Sequence, residues 1–364
     1  MVSSEINHAA LPVVDYPVGL ESQALEVSKL LEVGSDDDVC MVGIHGIGGI
    51  GKSTLALAVY NLIAHHFDCS CFLQNVRQKS NKHGLQHLQS ILLREMLGEK
   101  EVNFASIEQG ASVIHHRLQR KKFILILDDV DKYGQLQAIV GRPDLLGPGS
   151  RVIITTRDKQ LLSSYGVTKT YEVRVLNKNN ALDLLSWKAF KTKNIDASYK
   201  EVLNDVVIYA SGLPLALEVI GSNLFGKTKE EWKSAIKQYK RIPSNQILEI
   251  LKVSFDYLEE EEKSVFLDIC CLNIYALSKL ENLLHAHYGY CMKYHIGVLV
   301  DKSLIKFSCY RQETRIALHS LIEDMGKEIV RQESPKDPGK RSRLWLPEDI
   351  IRVLEDDKVS ETNG

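Results

Sequence analysis

Eight consecutive residues, Gly46-Ile47-Gly48-Gly49-Ile50-Gly51-Lys52-Ser53, have the spacing GxxxxGK[ST], with Thr54 directly after them. Glycines at such positions let the main chain wrap closely, so that successive N–H groups face phosphate oxygens, and a helix N-terminus adds partial positive charge. Gly46, Gly48, Gly49 and Gly51 then form a phosphate cradle that Thr54 closes. Lys52 would reach the β- and γ-phosphates of a nucleotide, and Ser53 would hold Mg²⁺. A metal placed there needs an acidic partner. Lys122-Phe123-Ile124-Leu125-Ile126-Leu127-Asp128-Asp129 supplies an apolar run ending in two carboxylates. Asp128 is expected to reach Mg²⁺ through water and Asp129 to polarise an attacking water. A third apolar run ends Thr155-Thr156-Arg157-Asp158, and the forked donors of Arg157 suit a γ-phosphate. Each piece alone has a plainer reading, as a glycine turn, two loop acids or a surface arginine. Their combination after three apolar runs is what points to a nucleotide.

The elements that must position these groups follow from periodicity. Residues 39–44, 123–127 and 152–156 are unbroken apolar runs of the kind buried in a parallel sheet. Residues 53–64 read as an Ala/Leu-rich helix after the glycine loop. Leu88, Ile91, Leu92 and Met96 share one helical face, and so do Ile107, Ala111, Ile114 and Leu118. Cys69 and Cys71 begin a further strand and point to one face, as core rather than chemistry. Strands alternating with helices predict a doubly wound α/β P-loop NTPase domain. Beyond residue 176 the pattern turns helical over 181–191, 199–211, 214–225, 230–240 and 246–257, with Gly212 placed as a helix stop and Pro214 as a helix start. A helical group to about 301, strand-like pieces at 303–308 and 315–318 and a helix from Leu321 predict a winged helix. The polar stretch 334–343, with Pro335, Pro338 and Gly339, reads as an exposed connector. The expected organisation is a leader over 1–15, a nucleotide-binding domain over 16–176, a helical subdomain over 177–250, a winged helix over 251–334 and a connector over 335–364.

Composition narrows the function classes. Of 364 residues 44% are apolar and 25% charged, an ordinary globular balance. Lys plus Arg total 45 against 47 Asp plus Glu, a net charge of −2, so no basic excess marks nucleic acid as the main partner. No apolar window is long enough to span a membrane, and the first fifteen residues do not read as a secretory leader. The seven cysteines form no CxxC pair, which argues against a zinc site or a disulfide framework. His65-His66, His115-His116 and His285 with His287 lack partners at metal-binding spacing. These features point to a cytoplasmic chain; the nucleus is a second expected location that they do not themselves indicate.

The motif series resembles the NB-ARC nucleotide-binding switch of plant NLR (NBS-LRR) disease-resistance proteins. It comprises the glycine loop, Leu127-Asp128-Asp129-Val130-Asp131, the segment from Gly149 to Asp158, Gly212-Leu213-Pro214-Leu215-Ala216-Leu217, Phe266-Leu267-Asp268-Ile269-Cys270 and Leu318-His319-Ser320. Together these cover residues 15 to 357. Asp131, and Phe72-Leu73-Gln74-Asn75-Val76-Arg77, resemble the subclass with an N-terminal TIR domain; the coiled-coil subclass usually has Trp at the position of Asp131. The resemblance implies that Val18 and Gly19 lie against adenine, that Pro214 packs on the base, that Arg157 senses the γ-phosphate and that His319 approaches the β-phosphate of ADP. It implies ADP, ATP and Mg²⁺ as ligands, and a resting ADP state that ATP exchange opens toward self-association and defence signalling. TIR and leucine-rich-repeat regions are the implied partners within an intact receptor, the TIR region carrying NAD-cleaving activity that these 364 residues do not contain. Hydrolysis is expected to be slow, because no second arginine finger is evident and such fingers contribute about 10³–10⁵ in rate. Two other classes stay open on the residues: a winged-helix DNA-binding ATPase using Lys340, Arg341 and Arg343, and a P-loop kinase or mechanochemical ATPase.

The sequence departs from the family at Leu318-His319-Ser320, where the pattern is Met-His-Asp. Ser320 is expected to cap the last helix, with Glu323 completing an S-x-x-E box, but it lacks the carboxylate that helps hold the ADP-bound state. Ser320→Asp should therefore tighten ADP and slow its release, which stopped-flow displacement of a fluorescent ADP would read; an unchanged off-rate would remove any locking role from this position.

Overall fold

Apolar runs without polar alternation need cover on both faces, and all three runs lie within one parallel sheet. The computed structural model describes residues 18–34, 38–98, 104–192, 197–241, 244–272, 274, 276–288, 292–310 and 313–362; the leader expected over 1–15 lies outside them. Contacts divide the chain into one unit of residues 1–46 with 50–176 and a second of 177–364 with Ile47–Gly49.

In the first unit, β1 (Cys40–His45), β2 (Cys69–Leu73), β3 (Phe123–Val130), β4 (Arg151–Thr156) and β5 (Lys169–Glu172) pair in parallel in the order β2-β3-β4-β1-β5. Every residue of β4 and the first six of β3 are buried. α1 (Glu21–Leu30) precedes β1, and the crossovers are α2 (Lys52–Ile63), α3 (Val76–His83), α4 (Leu85–Leu97), α5 (Ile107–Leu118), α6 (Tyr133–Ile139) and α7 (Lys159–Ser164). Leu88, Ile91, Leu92 and Met96 are buried on α4 as their spacing requires. α5 is rotated from expectation: Gly110, Ile114 and Leu118 face inward while Ile107 is 36% exposed. The cause is Gln89, fully buried, whose Nε2 donates to Ile107 O (2.9 Å) and Ala138 O (2.8 Å). A Cβ at Gly110 would fall 2.1 Å from Gln89 Oε1, so the glycine, not the isoleucine, takes the close approach. β5 escaped the sequence reading because it is a four-residue edge strand with one buried side chain, Tyr171.

The strand order sets β3, β4 and β1 next to one another, with His45 in register with Thr156, and Val130 likewise with Thr156. Their carboxyl ends, where open α/β sheets bind ligands, therefore carry the glycine loop, the two acids and Arg157 together. One buried guanidinium anchors this end of the chain. Arg151, 1% exposed, donates to Leu31 O (2.5 Å), Glu32 O (2.7 Å), Asp38 O (3.0 Å) and Ser150 O (3.0 Å). Carbonyls at a helix C-terminus carry partial negative charge, so Arg151 both neutralises and fixes the end of α1. Near the start of that helix, Gln23 Oε1 accepts from Tyr171 Oη (3.3 Å) and the Arg174 N–H (3.2 Å).

The second unit begins with α8 (Lys178–Phe190), α9 (Lys200–Ala210), α10 (Pro214–Leu224), α11 (Lys229–Arg241) and α12 (Asn245–Asp256). Trp232 is fully buried, stacks on Phe190 with ring centroids 5.1 Å apart and donates to Leu224 O. Then follow α13 (Glu260–Leu272), α14 (Leu277–Tyr288), α15 (Met292–Asp301), an antiparallel hairpin of β6 (Lys306–Tyr310) and β7 (Glu313–Ala317), and α16 (Ser320–Glu333), a winged helix. The hairpin starts later than expected because Ser303 adopts a left-handed φ of 58° and Leu304 N–H bonds Leu299 O, closing α15.

In the stretch 334–343, expected as an exposed connector, residues 335, 336, 339, 340 and 342 are exposed, but two arginines are not. Arg341 donates to Asp349 Oδ2 (2.7 Å) and Ser334 O (2.9 Å), and Arg343 pairs with Asp268 and donates to Ser264 Oγ (2.7 Å). Their side chains are 5% and 15% exposed. Asp268 is 75 residues from Arg343, so nothing local could have announced the contact. α17 (Pro347–Thr362) follows. Among the described residues no helix is long and apolar enough to cross a membrane.

Replacing Arg151 by Met should strand four carbonyls and cost about 2–4 kcal/mol in denaturant unfolding. Amide exchange in α1 should accelerate with it. A loss within the noise of a surface substitution would mean that α1 is held by packing alone.

Candidate functional site

α2 starts at Lys52 because Gly51, at a φ of 99°, turns the chain into it from the loop, a conformation that side chains with a Cβ rarely adopt. Ser53 is exposed and Thr54 half-buried in the first turn. Lys52 is buried, and its Nζ donates to Gly46 O at 2.8 Å across the loop. Burial pushes this ammonium down to about 7; Arg157 and Arg77 add to the shift, and Asp129 and Asp128 oppose it. A dry cation inside a closed ring of backbone fits a phosphate, whose oxygens would return the charge compensation that burial removes.

The acids sit where β3 breaks register. The pairing with β4 shifts between Leu127 and Val130, and Asp129 has a left-handed φ of 58°. Asp128 is buried and accepts from Thr155 Oγ1 (2.7 Å); the same hydroxyl accepts from Asp129 N–H (2.8 Å). One threonine of β4 thus fixes both acids. Arg157 Nε lies 3.9 Å from Asp129 Oδ1. Asp158, next in sequence, caps α7 by accepting from Gln160 and Leu161 N–H. Lys52, Asp128, Asp129 and Arg157 therefore meet in the first unit as the sequence implied.

A fifth group at this site was not anticipated. Arg77 donates from Nε (2.9 Å) and Nη2 (2.8 Å) to Asp129 Oδ2. The signal was present: Arg77 ends the 72–77 segment, and β2 pairs with β3 through Leu73 and Leu127, which brings the exits of both strands together. Among the described residues no three His, Cys, Asp or Glu side chains converge as metal ligands. Mg²⁺ takes one or two protein oxygens and completes its shell with phosphate and water; Ser53 and Asp128 are the oxygens the sequence reading proposed for it.

The remaining candidates lie elsewhere. Val18 and Gly19, half-buried, precede α1, with Gly19 at a φ of 69°. Ile47, Gly48 and Gly49 group with the second unit. There the Leu215 N–H, an orphan donor at the start of α10, bonds Gly49 O at 3.1 Å. A Cβ on Gly49 would fall 2.6 Å from the Leu215 Cβ. Pro214 is the first residue of α10. His319, not Ser320, caps α16: its Nδ1 accepts from Leu321 N–H (3.3 Å). Ser320 instead bonds Ser211 Oγ at 2.7 Å, and Glu323 pairs with Lys327, so the expected capping box is absent. With Nδ1 as acceptor, the His319 proton sits on Nε2, a buried atom with no hydrogen bond among the described residues. Burial lowers the pKa of the ring, opposed by a Ser211 carbonyl that is near but outside hydrogen-bonding geometry. A buried donor without an acceptor suits a ligand oxygen.

Residues 22–195 match the NB-ARC domain family, and residues 259–334 match the winged-helix domain of Roq1-like disease resistance proteins. The chain carries an NB-ARC domain. It is 41% identical over 344 residues to the disease resistance protein RUN1 of Vitis rotundifolia, covering 93% of this chain and 25% of that protein. It is 38% identical over 365 residues to the TMV resistance protein N of Nicotiana glutinosa, covering 97% and 30%. These matches bear out the resemblance to TIR-type plant resistance proteins; the NB-ARC chain spans about a quarter to a third of the length of the relatives it matches. The Walker-type ATPase PABY2304 of Pyrococcus abyssi superposes with a TM-score of 0.56 at 15% identity, over 84% of this chain and 95% of that one, a likeness of fold.

The Lys52 shift has a testable sign. Folded Lys52 titrates near 7 and an unfolded lysine near 10.5, so between these values the unfolded chain binds the extra proton and stability rises with pH. The destabilisation is full below pH 7 and fades toward 10.5. The stability gap between Lys52→Met and wild type, both nucleotide-free, should therefore narrow from pH 7 to pH 10 in urea unfolding; a constant gap would mean that Lys52 is hydrated.

Proposed function

We propose that this NB-ARC chain is the ADP/ATP-controlled switch of an intracellular plant immune receptor. The observation that carries the reading is the meeting of a buried Lys52, Asp128, Asp129 and Arg157 at three adjacent strand ends. Lys52 and the loop N–H groups of Gly46, Gly48, Gly49 and Gly51 hold the phosphates. Ser53 and Asp128 hold Mg²⁺, whose charge offsets that of the phosphate oxygens, with Thr54 beside them. Val18, Gly19 and Pro214 flank the base. The unpartnered Nε2–H of His319 supports its assignment to the β-phosphate of ADP, and the guanidinium of Arg157 supports a γ-phosphate sensor.

On this reading the nucleotide-binding domain over 16–176, the helical subdomain over 177–250 and the winged helix over 251–334 close around ADP, with 335–364 leading onward. ATP shifts the population to an open state that self-associates. A nucleotide biases the switch only through its differential affinity for the two states, and a hundredfold preference amounts to about 2.7 kcal/mol. Asp129 orients water for a slow hydrolysis that resets the switch. TIR and leucine-rich-repeat regions are the proposed partners, and the cytoplasm, with the nucleus as a second location, is the proposed site of action. The DNA-binding alternative loses support because Arg341 and Arg343 are spent on internal partners.

Denaturing the purified chain and identifying what it releases tests this reading. About one ADP per chain is expected, and none from Lys52→Ala. Mainly ATP, or no nucleotide from wild type, would overturn the ADP-bound resting state.

A further inference from the structure

We propose that Arg77 is a guard on Asp129: it occupies the carboxylate oxygen that would orient water, and hydrolysis waits for it to let go. The inference rests on the reading of Asp129 as the water-polarising group.

The chain leads Arg77 to this place. β2 ends at Leu73 opposite Leu127, Asn75 turns the chain with a left-handed φ of 54°, and Arg77 is the second residue of α3. Both of its contacts, from Nε and Nη2, fall on the single oxygen Oδ2 of Asp129. A carboxylate oxygen has two lone-pair sites, and two guanidinium N–H groups fill them. The other oxygen, Oδ1, faces Arg157 Nε at 3.9 Å. The Asp129 backbone is pinned by its bond to Thr155 Oγ1, so the choice of partner belongs to the side chain alone. Each side chain of the pair is 21% exposed, which places the interaction between a surface bridge and a buried one.

Arg77 is also held from behind. Ser80 Oγ donates to Arg77 O (3.0 Å) and accepts from Gln135 Nε2 (2.8 Å), which in turn donates to Asp131 Oδ1 (2.7 Å). The first turn of α3 is thus tied to the turn leaving β3, two residues beyond Asp129. When the guard releases, Asp129 accepts a proton from the attacking water, whose oxygen bonds the terminal phosphorus. The bridging oxygen then leaves with ADP, so ATP and water yield ADP and phosphate.

The test is single-turnover hydrolysis of Mg²⁺-ATP by the 364-residue chain, alongside nucleotide binding, for wild type, Arg77→Gln, Arg77→Lys, Asp129→Asn and Arg77→Gln with Asp129→Asn. Arg77→Gln should hydrolyse about fivefold faster, the factor expected for freeing one partly exposed ion pair, with affinity within about twofold. Arg77→Lys, which keeps one contact, should rise by about twofold, and the double variant should be as slow as Asp129→Asn. A structural ion pair would lower stability without raising the rate. Arg77→Gln at or below the wild-type rate would overturn the guard; if that variant does not fold, Arg77→Lys at or below the wild-type rate does so. Asp129→Asn as fast as wild type would instead sink the reading of Asp129, a result distinct from failure of the guard.

Discussion

Three cations, Lys52, Arg77 and Arg157, share the ends of the sheet with two carboxylates, Asp128 and Asp129. That excess of positive charge is the constraint on which the site depends. In water it would cost little, but Lys52 is buried and its ammonium is pushed toward neutrality, so the folded chain carries an electrostatic debt that phosphate oxygens can settle. Asp128, buried and held by Thr155 Oγ1, offsets only part of the shift. Asp129 is drawn instead by two guanidinium groups.

The strand order β2-β3-β4-β1-β5 explains what could be read from sequence and what could not. The glycine loop, the paired acids and Arg157 were legible because each follows an unbroken apolar run, and such runs must be strands covered on both faces. The helices α2, α4, α5, α8 to α12 and α16 were legible, and α13 to α15 as one helical group, whereas α1, α3, α6, α7 and α17 were not read. What escaped besides these were features fixed by partners distant in sequence. β5 has one buried residue and is defined by pairing with β1. α5 turned to let Gly110 meet Gln89. Arg341 and Arg343 looked solvated because Asp349 and Asp268, which bind them, are not local signals.

The last motif shows the limit of a local rule. Ser320 with Glu323 has the form of a capping box, yet α16 is capped by the preceding His319, whose Nδ1 takes the Leu321 N–H. His319 keeps a buried Nε2 that makes no hydrogen bond among the described residues. Ser320, freed from capping, bonds Ser211 at the left-handed end of α9. A neutral hydroxyl pair therefore joins the helical part to the winged helix of the second unit, where the family pattern would set a carboxylate beside Ser211.

Two segments that carried the subclass resemblance, residues 72–77 and Asp131, are more than fifty positions apart, yet they form one device. Asp131 accepts from Gln135 Nε2, Gln135 reaches Ser80, and Ser80 holds the carbonyl of Arg77. Tryptophan, usual at that position in the coiled-coil subclass, offers only a donor and could not accept from Gln135. Without the acceptor the brace on α3 loses its side-chain tie and keeps only the backbone N–H groups of residues 131 and 132, which donate to Gln135 Oε1. The arginine and the aspartate therefore belong together for a physical reason: one grips the carboxylate of Asp129, and the other keeps the grip in register.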